Sequence, residues 1–215
     1  MSTSNIGGDV SKIPGNVIRF DGYVPLPDSQ RIVLPEKTID ELVQAAIDSF
    51  GSSMGRDEVI QHLLPNDVLF VAYDKQQKAF AFAAGNYRSG NNSSDYFYLA
   101  GAVVSPAYQG KGVYTHLTEL RIQHSFLNGR DLPIKTRTQN PNVEDGIFRA
   151  FVKVCGISPS DVVVKREIIP GLYGRQLTKT LPREISRESP YAQLDYVRGD
   201  AFELTFSKIF EDRFW

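Results

Sequence analysis

An apolar run over 99–104 stops at Pro106, a tight glycine loop follows at Gln109-Gly110-Lys111-Gly112, and Val113, Leu117, Leu120 and Leu127 then recur at helical spacing. Strand, glycine loop and helix start, in that order, make an anion site. The first amides of a helix have no acceptor within it, and the helix dipole favours negative charge there. Gly110 and Gly112 allow a phosphate to approach the backbone closely, and Lys111 adds positive charge. The pattern predicts a phosphorylated ligand at this turn. The plainer reading is that two glycines simply turn a strand into a helix.

Two familiar phosphate loops are excluded. A P-loop needs Gly-Lys followed by Ser or Thr, and here Lys111 is followed by Gly112. The dinucleotide fingerprint Gly-x-Gly-x-x-Gly needs a third glycine where this chain has Thr115.

The rest of the chain narrows the class. Its 215 residues, 41% hydrophobic and 23% charged, suit one globular domain with a substantial core. We expect 1–15 to be a loose polar segment and 16–215 to be a single domain, with an extended irregular segment at 170–199. A net charge of −1 with no basic run argues against a nucleic-acid surface. A single cysteine, Cys155, excludes an internal disulfide and a Cys-based zinc site. No apolar run reaches the length of a membrane span, and 1–15 lacks the apolar core of a signal peptide. A cytoplasmic location without membrane contact is the expectation.

Thr38-Ile39-Asp40-Glu41 reads as a capping box, followed by Ile39, Leu42, Val43, Ala46, Ile47 and Phe50 on one helical face, up to Gly51. A short helix is expected at 57–64. Strands are expected at 68–73, 79–87, 96–104, 132–137, 162–169 and 201–210, with a polar loop at 88–94. The helix after the glycine loop is expected to end near Asn128-Gly129. Asn140 and Pro141 mark the cap and first position of another helix, which Gly156 ends. Its apolar stripe is Val143, Ile147, Ala150, Phe151 and Val154. An early strand at 16–20 or 31–34 completes the order. His62 is isolated, His116 and His124 lie eight residues apart on one helix, and no carboxylate joins them at metal-ligand spacing. No metal is expected, and His124, on the apolar stripe, should be neutral.

Val104-Ser105-Pro106, then Gln109-Gly110-Lys111-Gly112-Val113-Tyr114, resembles the GNAT superfamily of acyl-CoA-dependent N-acetyltransferases, whose loop reads Gln/Arg-x-x-Gly-x-Gly/Ala after a strand ending in Val-x-Pro. Tyr114 departs from the family's small residue. Thr138-Gln139-Asn140, then a helix ending at Cys155-Gly156-Ile157, is a second match. The resemblance covers roughly 30–170. It implies an α/β (α+β) domain with a mixed, mostly antiparallel sheet and helices on both faces.

The resemblance also implies chemistry. An amine would attack the thioester of acetyl-CoA, or another acyl-CoA, directly in a ternary complex. Ala102, Val103 and Val104 would present backbone to pantetheine, with the Val104 amide, or its neighbour's, as oxyanion donor. Gln109, Gly110, Lys111, Gly112, Val113, Tyr114 and Thr115 would cradle the pyrophosphate, and Asn140 would add a second contact. Each has a structural alternative: core strand for Val103 and Val104, helix cap for Asn140.

The family's usual acid, a Tyr, falls at Val152 or Phe151, neither of which can donate a proton. Tyr98 is the preferred substitute. Tyr96, Asp95 and Tyr173 are alternatives, and Cys155 could accept an acyl group. The acceptor would be a primary amine on a small molecule in preference to a peptide, chosen by the loops at 88–95 and 170–199. The competing classes are a CoA-binding or sensing domain without transfer activity, and an O-acyltransferase or decarboxylase on the same fold.

Overall fold

The computed structural model describes residues 17–26, 31–51, 54–90, 95–127, 132–174, 185 and 188–209. Seven strands form one sheet in the order β1-β2-β3-β4-β5-β7-β6. They are β1 (Val17–Tyr23), β2 (Val68–Asp74), β3 (Ala79–Arg88), β4 (Tyr96–Val104), β5 (Ile134–Thr138), β6 (Val162–Ile169) and β7 (Ala201–Lys208). Four helices flank them: α1 (Glu36–Phe50), α2 (Arg56–Leu63), α3 (Val113–Leu127) and α4 (Pro141–Cys155). Every pairing is antiparallel except β4 with β5.

Successive side chains of a strand point to opposite faces, and β2 is buried along its whole length because both faces are covered. Leu69, Val71 and Tyr73 join Leu42, Val43, Ala46, Val59 and Leu63 of α1 and α2 in one core. Val68, Phe70 and Ala72 join Val113, Leu117, Leu120, Ile147, Ala150 and Phe151 of α3 and α4 in the other. Fully burying one such side chain contributes about 1.5–3 kcal/mol. Helices therefore lie on both faces of a mixed, mostly antiparallel sheet, as the family resemblance implies.

The expected boundaries shift in places. The early strand is Val17–Tyr23, whereas 31–34 is not a strand: Ile32 and Leu34 are buried there as irregular chain. The Thr38 capping box does not form. Pro35, in extended conformation, precedes a helix that starts at Glu36, whose carboxylate suits the first turn. Thr38 is buried inside the helix, and Glu41 instead accepts the Ala79 amide at 2.8 Å. The short helix is Arg56–Leu63, and the strand expected at 132–137 is Ile134–Thr138. The last strand ends at Lys208. The Asn128-Gly129 helix stop, the segment 1–15 and part of each of the 88–94 and 170–199 loops lie outside the described residues. Of the 170–199 segment, a 3-10 turn at Pro190–Gln193 is described, and Tyr191 is buried in it.

α4 matches its sequence signals closely. Asn140 caps it by accepting the Asn142 amide at 2.9 Å, Pro141 opens it, and Gly156 ends it at φ 63°. That left-handed backbone favours glycine. Among the described residues no helix is long and apolar enough to cross a membrane.

Candidate functional site

The site begins where the sheet parts. β4 and β5 pair only at Phe97 with Ile134 and Tyr98 with Lys135. Beyond Tyr98 the two strands diverge, and the Thr136 hydroxyl donates to the Leu99 carbonyl at 3.0 Å across the vertex. β4 thus carries a stretch of backbone that β5 does not pair.

Which groups face that gap follows from the ladder. Alternate residues of a strand direct their N–H and C=O to opposite edges. The Ser105 amide donates to Phe80 on β3 at 2.9 Å, so Val103 also faces β3. Val104 and Ala102 turn their backbone to the open edge. On that edge the Val104 carbonyl accepts from the Gln109 side chain at 2.9 Å and from Ser49 at 3.2 Å. Of the three strand residues expected to present backbone, Ala102 and Val104 do so and Val103 does not: its N–H and C=O point to β3.

A β-bulge makes this possible. Leu99 pairs with Gly85 and Ala102 with Ala83, so Ala100 and Gly101 together oppose Ala84. One extra residue reverses the facing of the strand. The bulge leaves carbonyls outside the ladder, and the Arg121 guanidinium fills the space beneath it. Its Nη1 donates to the Ala84 carbonyl at 3.1 Å and the Ala100 carbonyl at 3.4 Å. Burial pulls this guanidinium below its usual range, opposed by the Tyr114 hydroxyl.

The strand leads through a 3-10 turn, Pro106–Tyr108, into the glycine loop. Gly110 and Gly112 take φ 71° and 77°. A side chain at either would meet no atom within 4 Å, so conformation and not crowding calls for glycine, and the cradle is open. The Gly112 carbonyl receives the first helical bond, from His116 at 3.0 Å. The amides of Val113, Tyr114 and Thr115 precede it and have no acceptor within the helix. A phosphate fits that nest. Lys111 is exposed and donates to the Ala107 carbonyl at 2.7 Å. Gln109 is committed to the strand end and shapes the loop.

Because β4 and β5 are parallel, α3 and α4 both start at the wide end of the parting, with Asn140 at the second start. Two positive dipole ends flank one mouth. The Tyr114 ring does not stand among the phosphates. It turns inward against α4, where a side-chain carbon at Gly146 would come within 3.0 Å of it. Burial raises its hydroxyl above the usual range, and the neighbouring Arg121 charge and Thr118 oppose that.

Tyr98 lies on the face opposite α3 and α4. Burial holds its hydroxyl above the usual tyrosine range, with the Arg137 charge opposing. Tyr173, one of the alternatives, is brought beside it. Its hydroxyl donates to the Arg137 carbonyl at 3.2 Å, and burial, then the neighbouring Tyr98, raises it further. Both phenols stay protonated at neutral pH. Tyr96 lies under Lys135, whose Nζ is 4.5 Å from the ring centre.

The turn that carries Tyr173 is held by the Gly199 carbonyl, which accepts the Tyr173 amide at 3.0 Å, and by Asp200, which the sequence reading missed. Asp200 accepts the Gly171 amide at 2.9 Å, the Asp195 amide at 3.2 Å and a two-pronged pair from Arg198. The Arg198 pair, against burial, holds its carboxyl well below the usual carboxylate range. The charge-rich Asp195-to-Asp200 stretch was the available signal. Phe151, which with Val152 was the expected position of the family's Tyr, is core at 1% exposure. His124 is kept below its usual range by burial and is neutral. Cys155 is half-buried near the end of α4, away from the strand edge.

Residues 36–144 match the model of the acetyltransferase (GNAT) family. A sheet parted between parallel strands, with a glycine loop at its mouth, is thus the scaffold of a CoA-linked acetyltransferase class. The chain belongs to the GNAT family. Among solved structures it resembles arylalkylamine N-acetyltransferase 2 from Aedes aegypti at a TM-score of 0.52 and 12% identity, over 89% of this chain and 98% of that one. It also resembles a chain of the NatC complex, solved with Gag peptide and CoA, at 0.50 and 12% identity, over 89% and 99%. At such identities the likeness concerns the fold. No curated protein matches the sequence.

Proposed function

We propose that the chain transfers an acyl group, acetyl in the first instance, from acyl-CoA to a primary amine of a small molecule in a ternary complex. The observation that carries the reading is the unpaired edge of β4, which runs from the vertex at Tyr98 to the open amide nest at Gly112. In this reading the nest holds the pyrophosphate, Ala102 and Val104 pair with pantetheine, and the Val104 amide faces the thioester oxygen. The neutral amine attacks the thioester carbon, a C–N bond forms, the C–S bond breaks, and the amine's proton leaves to a base. The Val104 amide stabilises charge on oxygen as it develops. Asn140 lends its side-chain N–H₂, since its oxygen is spent on the cap.

The acceptor approaches from the face of Tyr98. Tyr173 and the Asp200-held segment wall that approach, which favours a compact amine over a chain threaded through the site. The GNAT family match supports a CoA donor.

A thermal shift with acetyl-CoA, against acetyl-phosphate as control, tests the donor. At about 100 times its dissociation constant, acetyl-CoA adds roughly 2.7 kcal/mol, a rise on the order of 5–10 °C for a domain of this size. Release of free CoA with tyramine, spermidine, glucosamine or lysine then tests transfer. Binding without release from any of them supports instead the non-catalytic reading, which the phenol-free α4 slot at Phe151 favours. Mass analysis of the product separates amide from ester.

A further inference from the structure

We propose that Arg121 is a positioning residue for the transfer step, holding the β4 bulge from beneath and setting the Tyr114 hydroxyl at the floor of the parting between β4 and β5. The inference rests on the reading above, that an acyl thioester lies along the free edge of β4.

Arg121 is 1% exposed and leads the fully buried side chains by volume. A buried guanidinium normally keeps a carboxylate beside it, because desolvating a charge is costly. Among the described residues no Asp or Glu lies within ion-pair distance of Arg121. Its partners are dipoles. Nη1 meets the Ala84 and Ala100 carbonyls, and Nη2 donates to the Thr118 hydroxyl at 2.9 Å. The Tyr114 hydroxyl is its neighbour on the same helix, and Nε is without a partner. An apolar side chain would fill this place in α3 without burying a charge, so packing alone does not account for an arginine.

The geometry gives the guanidinium two tasks. It clamps one carbonyl from each strand of the bulge. Without that clamp the bulge can slacken, which would displace the Val104 amide from the thioester oxygen while the amide nest and the rest of the edge still hold the cofactor. It also fixes Tyr114. A guanidinium offers donors and no acceptor, so toward Arg121 the Tyr114 oxygen can act only as an acceptor, which leaves the phenolic proton to donate. The ring is wedged between α3 and α4 at Gly146. A phenol thus stands between the same two helices where α4 itself has Phe151. It donates a hydrogen bond to the negative charge that appears as the C–S bond breaks. The buried cation behind it acts on that charge with little screening by salt.

The test compares wild type with Arg121→Met, Arg121→Lys and Tyr114→Phe. Acetyl-CoA affinity is measured by calorimetry. Turnover is measured by CoA release with the fastest amine of the panel above. Arg121→Met should lower kcat by about 10²-fold, the scale of a displaced donor, while acetyl-CoA affinity stays within about threefold. Arg121→Lys, which keeps a cation and donors under the bulge, should recover most of that loss. Tyr114→Phe keeps the ring against Gly146 and should lower kcat by about tenfold at unchanged affinity.

An Arg121→Met enzyme that turns over within about twofold of wild type overturns the proposal, as does a fall in kcat matched by an equal loss of affinity. So does a folded Arg121→Lys as slow as Arg121→Met. If Arg121→Met does not fold, Tyr114→Phe decides: unchanged kcat overturns the proposal and lowered kcat at unchanged affinity upholds it. Wild type that releases no CoA with any amine defeats the transfer reading itself, a separate result from active wild type with unaffected variants.

Discussion

One face of the sheet is built in two ways. Over β2, β3 and the far end of β4 it is sealed by α1 and α2, and Leu69, Val71, Phe82 and Val103 are buried in a dry core. Over β5, β7 and β6 the same face carries no helix among the described residues. There Lys135, Lys165, Glu167, Glu203 and Thr205 line an open cavity of about 450 Å³. Arg137 reaches across to Glu203 at 2.9 Å. Apolar alternation on one half and polar alternation on the other place the boundary at β4 and β5, where the strands part. The dry half backs the free edge of β4, and in the proposed reaction the wet half leaves room for a polar acceptor beside it.

The contrast predicts a graded set of effects. Leu69→Ala, in the sealed half, should cost about 2–5 kcal/mol by urea denaturation; a loss near zero would mean that the core there is loosely packed. Gly112→Asp places a carboxylate and a strained backbone at the amide nest. It should abolish the acetyl-CoA stabilisation, roughly 2.7 kcal/mol at saturation, with the fold retained, and a normal thermal shift would remove the loop from the site. Tyr98→Phe, on the boundary, should slow turnover about tenfold, near 1.4 kcal/mol of barrier, at unchanged acetyl-CoA affinity. Equal turnover would leave Tyr173 as the phenol to test next. Lys165→Ala, in the open half, should change folding stability by no more than about 0.5 kcal/mol, and acceptor KM is where its effect should appear.

Much of this was legible beforehand because local signals and global packing agree. Asn140, Pro141 and Gly156 bracket α4 by capping chemistry alone, and Gly110 and Gly112 occupy the left-handed positions their loop requires. The bulge was not legible. The run Leu99-Ala-Gly-Ala-Val-Val reads as one continuous apolar strand, and only Gly101 hints at the irregularity. A ladder shift depends on the partner strand, which a single segment does not reveal. Arg121 gave a clearer signal, a charge among the inward Leu117, Leu120 and Ile122 of α3, but its meaning needs the carbonyls it meets. At Thr38 a valid local pattern lost to Pro35, which starts the helix earlier and leaves the threonine buried. Tyr98 and Tyr173 were separate candidates, and their adjacency depends on long-range bonds to Arg137, Gly199 and Asp200.

The joint between β4 and β5 also has a consequence for how the domain opens. Among the described residues, two pairs of parallel ladder and the Thr136 hydrogen bond to the Leu99 carbonyl are what join the backbone of β1–β4 to that of β5, β7 and β6. The other ties are helical, the Tyr114 ring on Gly146 and the Lys153 bridge to Glu119 at 2.7 Å between α4 and α3. In hydrogen-exchange terms the sheet is two cooperative units with a thin seam. Amides of Ala102 and Val104, on the seam, should exchange well before those of Val71 in β2, and a ligand laid along the seam would add the missing rungs and join the units into one.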